Sequence, residues 1–176
     1  VKDFVSIQSI YAIEVREHTA TFEITPPDME EMTARWRHIT DIGLPYLVAE
    51  LDGEVVGYAY ASSYRSRPAY NNTVEDSVYV ARDKHRQGLG RTLLTELMHR
   101  CRDLGKRQMI AIIGDSRHNA SICLHHEAGF RHVGTLKQVG WKRNRWIDSV
   151  IMQRSLDLGS DNEVFDRDAL ADGIDR

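Results

Sequence analysis

Apolar residues open this chain at a spacing close to one helical turn. Phe4, Ile7, Ile10, Tyr11 and Val15 fall on one stripe, which predicts an amphipathic helix over 3–17. That helix begins almost at once after Val1, which is not a methionine and need not be the natural start, so an edge strand preceding it is expected to be missing or displaced. A second helix is predicted with Thr25 as N-cap, Pro26 in the first helical position and Asp28 in the first turn, running through Met32, Trp36 and Ile39 to about Gly43. The pattern then shortens. Residues 46–51 and 54–62 are rich in β-branched and aromatic side chains and flank Asp52-Gly53, a strong hairpin signal. A third strand is predicted over 73–80. An amphipathic helix follows over 89–104, with Leu93, Leu94, Leu97, Met98 and Cys101 on one face and Gly105 closing it. Within 106–114 the run Met109-Ile110-Ala111-Ile112-Ile113 is apolar without alternation, as in a strand covered on both faces. A short helix over 119–128 stops at Gly129, and strands over 130–139 and 146–154 complete the pattern.

Helices and strands interleaved in this order predict one α/β (α+β) domain over residues 1–155, a mixed central sheet flanked by helices. The unit 73–114 should be a right-handed parallel crossover. Residues 156–176 carry seven acidic residues against two arginines and little apolar periodicity, which reads as an acidic, flexible tail.

The chain has 176 residues, 41% of them hydrophobic, enough for one core. Its net charge of −3 and the lack of a basic face argue against a nucleic-acid partner. No run of about 18 apolar residues and no signal-peptide pattern is present, so a soluble cytoplasmic protein without a membrane partner is expected. Cys101 and Cys123 lie on helical patterns without C-x-x-C spacing and read as packed thiols. His125-His126-Glu127 does not give the His-x-x-x-His spacing of a zinc helix, because Gly129 and Phe130 follow, so no metal is expected.

Chemistry concentrates at His85-Arg86-Gln87-Gly88-Leu89-Gly90-Arg91-Thr92, between a predicted strand and a predicted helix. Glycines there let the backbone approach a ligand, and the unpaired N–H groups of a helix start favour an anion. Arg82, Lys84, Arg86 and Arg91 make the charge locally positive. Neither the Walker pattern nor the dinucleotide fingerprint fits, since no Lys-Ser or Lys-Thr and no third glycine follow.

What remains, H-R-Q-G-L-G, resembles the Q/R-x-x-G-x-G/A loop that binds the coenzyme A pyrophosphate in the GNAT acyltransferase superfamily, with His85 where Gln or Arg is usual. Further segments agree in order: Tyr11 with Thr19-Ala20-Thr21-Phe22-Glu23, then Thr73-Val74-Glu75-Asp76-Ser77-Val78-Tyr79-Val80, Asn119-Ala120-Ser121 with Leu124-His125 and Gly129-Phe130, and Gly140-Trp141-Lys142 with Trp146 and Asp148. More narrowly the chain resembles the phosphinothricin and methionine-sulfoximine N-acetyltransferases.

The resemblance implies acetyl-CoA as acetyl donor and a small amine as acceptor, with herbicide resistance as the role in named relatives. It implies Glu75 as general base and His125 as the group that protonates the departing thiolate. Val78, Tyr79 and Val80 would offer main-chain groups to the pantetheine arm. His85, Arg86, Gln87, Gly88, Leu89, Gly90 and Arg91 would hold the pyrophosphate, and Asn119 would bond the arm. Arg65, Tyr70, Asn71 and Phe22 would receive the acceptor. Trp141 and Trp146 read as core or as dimer contact, and a homodimer is expected. Two other readings remain: a non-catalytic acyl-CoA-binding regulatory domain, and an N-acetyltransferase for a protein N-terminus or a polyamine.

Overall fold

The structure is a computed structural model and describes residues 2–157. The chain runs α1 (Lys2–Glu17), α2 (Met29–Asp41), β1 (Tyr46–Leu51), β2 (Glu54–Ser63), β3 (Thr73–Val80), α3 (Leu89–Asp103), β4 (Gln108–Gly114), α4 (Asn119–Glu127), β5 (Arg131–Lys142) and β6 (Arg145–Ser155). The strands form one mixed sheet in the order β1-β2-β3-β4-β6-β5, antiparallel except for the β3–β4 pair. That parallel pair brackets α3, as the strand–helix–strand pattern predicts. Most of the acidic C-terminal segment lies outside the described residues.

The two faces of β2 and β3 sort the core into two layers, with a bulge at Val56 setting Val55 and Tyr58 on the same face. Val55 and Tyr58 face α1 and join Ile7, Ile10, Tyr11, Val15 and Met32, while Ala59, Ala61 and Val74 face the other way with Leu93, Leu94, Leu97 and Cys101 of α3. The end of α2 wraps the β1 edge, so Ile39 and Leu44 join the second layer. In β4, Met109, Ala111 and Ile113 enter that same layer, and Ile110 is buried on the opposite face, which explains its unbroken apolar run.

Two local readings change. The N-cap of α2 is Asp28 and not Thr25: its side chain accepts a hydrogen bond from Glu31 N at 2.9 Å, and both prolines precede the helix. The last two strands continue to Lys142 and from Arg145, joined by Arg143 and Asn144 with φ of 51° and 54°, a tight turn without glycine. An irregularity between Leu136 and Gly140 breaks the alternation of β5 and hides this extension; there Gln138 has φ 55° and its N–H donates to Asp148 Oδ1 at 3.0 Å.

Candidate active site

β3 and β4 are hydrogen-bonded only from Thr73–Gln108 to Asp76–Ala111, after which they part. Beyond that point Ser77 to Val80 keep their ladder with β2, and Ile112 to Gly114 keep theirs with β6. The two facing edges therefore have no strand between them. A cavity of about 60 Å³, roughly the share of two waters, lies in the opening, bordered by Asp76 to Tyr79, Ala111 to Ile113, His118, Ser121 and His125. Among the described residues, two buried polar atoms of the lining residues, Asp76 Oδ1 and His118 Nδ1, have no hydrogen-bond partner. Buried polar atoms are seldom left so, and two beside one cavity mark a place built for a polar occupant.

At the carboxyl end of β3 the chain turns into the glycine loop. Gly88, φ 81°, is the N-cap of α3, and a Cβ there would meet nothing within 4 Å, so the space above the helix start is open. The N–H groups of the first turn have no carbonyl four residues back and point into that space. His85 secures the loop, its Nε2–H donating to Val80 O at 2.9 Å. The local positive charge is smaller than the sequence suggests: Arg82 is paired with Glu14, Lys84 with Asp83 and Arg91 with Glu127. Among the described residues, Arg86 alone of the four basic side chains is in no ion pair. The anion site therefore rests chiefly on main-chain N–H groups and the helix dipole.

Glu75 and His125 lie on opposite faces of the sheet. Glu75, Ser77 and Tyr79 alternate toward α1, where the Tyr11 and Tyr79 rings meet edge to face at 5.1 Å. Asp76, Val78 and Val80 point toward α3 and α4. Among the described residues no hydrogen bond or ion pair engages the half-buried Glu75 carboxylate. Its pKa is raised, first by burial and then by the neighbouring Asp76 charge, with Arg65 pulling the other way. The same face carries Tyr60, whose phenol is raised by burial and also feels Glu75, Glu23 and Arg35. Glu23 is held by Arg35 of α2 at 2.6 Å, so the loop between α1 and α2 overhangs this face.

That loop is clamped from several sides. Tyr11 and Thr21 hydroxyls are 3.0 Å apart, buried Lys142 Nζ donates to Thr21 O at 2.8 Å, and Thr19 donates to Asp115 Oδ2 at 2.8 Å. Asp115 is also ion-paired with Arg145. Gly114 and Gly140 make room for it: a Cβ at Gly114 would stand 2.4 Å from Thr19 O, and one at Gly140 would stand 2.3 Å from the Phe22 ring. Phe22 is thereby fixed, partly exposed, at the rim. Across the face, Arg65 is exposed with its guanidinium 5.2 Å from the centre of the Tyr64 ring, which packs edge to face on Tyr70 at 5.7 Å. Asn71 is exposed, and its main-chain oxygen accepts from Lys106 Nζ at 2.7 Å.

His125 is buried. Its Nδ1 lies 2.7 Å from Ser121 O and its Nε2 lies 2.9 Å from Asp76 Oδ2, with the Phe130 ring edge to face at 5.0 Å. Its pKa is raised: burial alone would lower it, and the Asp76 bond and charge outweigh that. Asn119, by contrast, is exposed and does not border the cavity; His118 before it does. His118 has a pKa lowered by burial.

A helix start open to an anion, at the end of the strand that borders a polar cavity, is what a long phosphorylated thioester would need. The acetyltransferase (GNAT) domain family matches the chain over residues 1–151. This chain belongs to the GNAT acetyltransferases. It is 55% identical over 157 residues to a phosphinothricin N-acetyltransferase of Alcaligenes faecalis, covering 89% of this chain and 80% of the relative. It is 40% identical over 158 residues to an L-methionine sulfoximine/L-methionine sulfone acetyltransferase of Pseudomonas aeruginosa, covering 89% and 91%. The crystal structure of a GNAT superfamily phosphinothricin acetyltransferase from Sinorhizobium meliloti in complex with acetyl-CoA superposes with a TM-score of 0.87 at 46% identity, covering 90% and 86%. The protein is an acetyl-CoA-dependent N-acetyltransferase, and its parted strands, open helix start and two unpartnered polar atoms suit that donor. Among the described residues no group of three or more His, Cys, Asp or Glu could hold a metal, and no helix is long and apolar enough to cross a membrane.

Asp76, His118 and Tyr60 are the site-facing residues that sequence reading did not single out. Asp76 carried a signal: it occupies the inward face of β3 between Val74 and Val78, where a carboxylate needs a partner. His118 carried none, since its burial follows from the turn after β4.

Proposed function

We propose that this GNAT enzyme acetylates the α-amino group of a small amino-acid-like compound, of the phosphinothricin or methionine sulfoximine kind, with Glu75 as general base. The observation that carries this reading is the position of Glu75: an unengaged carboxylate of raised proton affinity on the strand that parts from β4. Bound acetyl-CoA supplies an activated acetyl thioester. An α-ammonium group must lose a proton before its nitrogen can attack, and a half-buried carboxylate takes that proton more readily than an exposed one. Arg65 suits a carboxylate or phosphinate on the acceptor through two parallel hydrogen bonds. Phe22 and Tyr70 shape the rim, with Asn71 beside them. His85 to Arg91 receive the pyrophosphate, chiefly through main-chain N–H groups. Val78, Tyr79 and Val80 are the β3 residues we assign to the pantetheine arm, with Val80 O already accepting from His85 Nε2 at 2.9 Å, and on the α4 side His118 borders the cavity where Asn119 was expected. Neither cysteine borders that cavity, and burial pushes the Cys101 thiol up to about 12, which favours direct transfer over an acyl-enzyme.

We place the enzyme in the cytoplasm as a homodimer. Free Cys101 and Cys123 suit a reducing compartment, although Cys123 is exposed and not packed as expected. Trp141 and Trp146, 52% and 55% exposed and 5.2 Å apart, do not belong to the core and, with Val133, Leu136 and Val139, give the β5–β6 edge an apolar surface suited to a second copy. The substrate class is tested by following thiol release from acetyl-CoA over phosphinothricin, methionine sulfoximine, methionine sulfone, ordinary amino acids, polyamines and short peptides, with mass spectrometry of the product. Turnover on the amino-acid analogues giving an α-N-acetyl product supports the reading. Turnover confined to peptides or polyamines contradicts it.

A further inference from the structure

Lysine is among the side chains least often buried without a partner, because its ammonium then loses its water. Lys142 is 6% exposed, and its Nζ donates to Thr21 O at 2.8 Å. Among the described residues no ion pair engages it. The carboxylates whose charge it feels are Glu14 and Glu23, and each is claimed by an arginine: Glu14 by Arg82 at 3.0 Å and Glu23 by Arg35 at 2.6 Å. Asp115, which also holds the loop between α1 and α2, is ion-paired with Arg145. The remaining charged neighbour, Arg143, is a second cation. Burial lowers the Lys142 pKa, and the two carboxylates pull the other way. A methionine of similar length would fill the same space without desolvating a charge, so packing gives no reason for the ammonium.

That charge lies next to the acceptor rim. Gly140 and Lys142 stand two residues apart on β5 and share one face, since the ladder with β6 is regular between them. Gly140 lies under Phe22, where a Cβ would strike the ring, and Lys142 bonds the main chain of Thr21. The Thr21 hydroxyl is 3.0 Å from Tyr11 Oη and also accepts from Glu23 N at 3.2 Å. Three consecutive residues of the loop are thereby fixed, with an ammonium beside them that no carboxylate neutralises.

We propose that Lys142 is a specificity-determining residue of the acceptor site: it seats Thr21 and Phe22 at the rim and supplies a positive charge that favours an acceptor with a second negative group beyond its α-carboxylate. This rests on the acetyl-transfer reading above and narrows its acceptor class. An amino-acid analogue with a phosphinate carries two negative groups and one ammonium. Arg65 pairs with one of the negative groups, and the other is drawn to the Lys142 side of the rim, where partial burial screens charge less than water does. A sulfone is neutral at that end and gains little from the charge. A polyamine is repelled by it. Lys142 touches no reacting atom, so its effect falls on the choice of acceptor and leaves the proton transfers alone.

The test compares phosphinothricin with methionine sulfone, which is neutral at its far end, as acceptors for the wild type, Lys142→Met, Lys142→Gln and Lys142→Arg. Methionine removes charge and bond, glutamine removes the charge and keeps a donor, and arginine keeps both. kcat and KM are measured for each acceptor, with KM for acetyl-CoA and the thermal midpoint alongside. The wild-type ratio of kcat/KM for phosphinothricin over methionine sulfone should fall about tenfold in Lys142→Gln and Lys142→Met, through the phosphinothricin KM, and stay within about threefold in Lys142→Arg. KM for acetyl-CoA should change by less than about threefold throughout. If Lys142→Met does not fold, Lys142→Gln and Lys142→Arg decide. An unchanged ratio in Lys142→Gln, or equal losses for the two acceptors, would overturn the proposal with the acetyl-transfer reading intact. A wild type that binds acetyl-CoA but transfers to neither acceptor would instead overturn the proposed function, and the role of Lys142 with it.

Discussion

Glu75 sits half-buried on β3, one residue before the last pair that joins that strand to β4. Burial and the adjacent Asp76 raise its proton affinity, and the absence of a partner among the described residues keeps the carboxylate available. Glu75→Gln keeps the shape and removes the base. It should lower kcat about a hundredfold to a thousandfold, with KM for acetyl-CoA nearly unchanged, in steady-state kinetics at pH 7.5. Gly140 is the counterpart at the rim. A methyl group there would meet the Phe22 ring at 2.3 Å, so Gly140→Ala should displace Phe22 and raise the acceptor KM more than that of acetyl-CoA. At this scale a motif placed Glu75 and His125 beside the parting strands and the glycine loop at the start of α3, while their roles stay proposals. The burial of His118 at the cavity was not legible, because the turn that buries it leaves no periodic trace.

Elements were legible where their alternation was regular, and obscured where a bulge or a loop interrupted it. The strands β1 to β4 and the helix α3 follow from apolar spacing, with the β1–β2 turn from Asp52-Gly53. The true length of β5 was hidden by the irregularity after Leu136, and the N-cap of α2 by two prolines that precede the helix instead of starting it. The clamp on the loop between α1 and α2 was invisible, since its parts come from distant segments: Asp115, Lys142 and Arg145. Gly114→Ala would drive a Cβ to 2.4 Å from Thr19 O and should cost about 1–3 kcal/mol in denaturant unfolding, as overpacking does elsewhere.

The pH dependence of this clamp follows from Asp115, whose pKa is lowered to about 2 despite burial by bonds from Arg145, Thr19 and the Arg117 N–H. A depressed carboxylate contributes stability above its unfolded value of about 3.9 and loses it as pH falls through the folded one. Asp115→Asn should therefore be less stable than the wild type at pH 6, and the gap should close between about pH 4 and pH 2 in thermal unfolding. His125 runs the other way. Its pKa is raised, so its contribution is complete below about pH 6.5 and is lost as pH rises through the folded value.

Across the whole molecule, one sheet divides the proposed chemistry. The face under α1 carries Glu75 and the residues proposed for the acceptor, the face under α3 and α4 carries the His125–Asp76 pair, and β3 and β4 part between them. Fold class and the acetyl-CoA-dependent activity were readable in the sequence because several motifs agree in order. The division of chemistry between faces was not, since it needs the register of β3. Light scattering on a sizing column should give twice the chain mass for the wild type, with Trp141→Lys shifting it toward monomer. The central claim, that a carboxylate on the α1 face drives acetyl transfer from a donor held in the opening, is tested most directly by the rate of thiol release against pH for wild type and Glu75→Gln, with the preferred acceptor saturating. The account predicts a wild-type rate that rises with pH through an ionisation above the ordinary carboxylate range and a Glu75→Gln rate at least about a hundredfold lower that lacks this step. A Glu75→Gln enzyme with the wild-type rate and pH profile would contradict it.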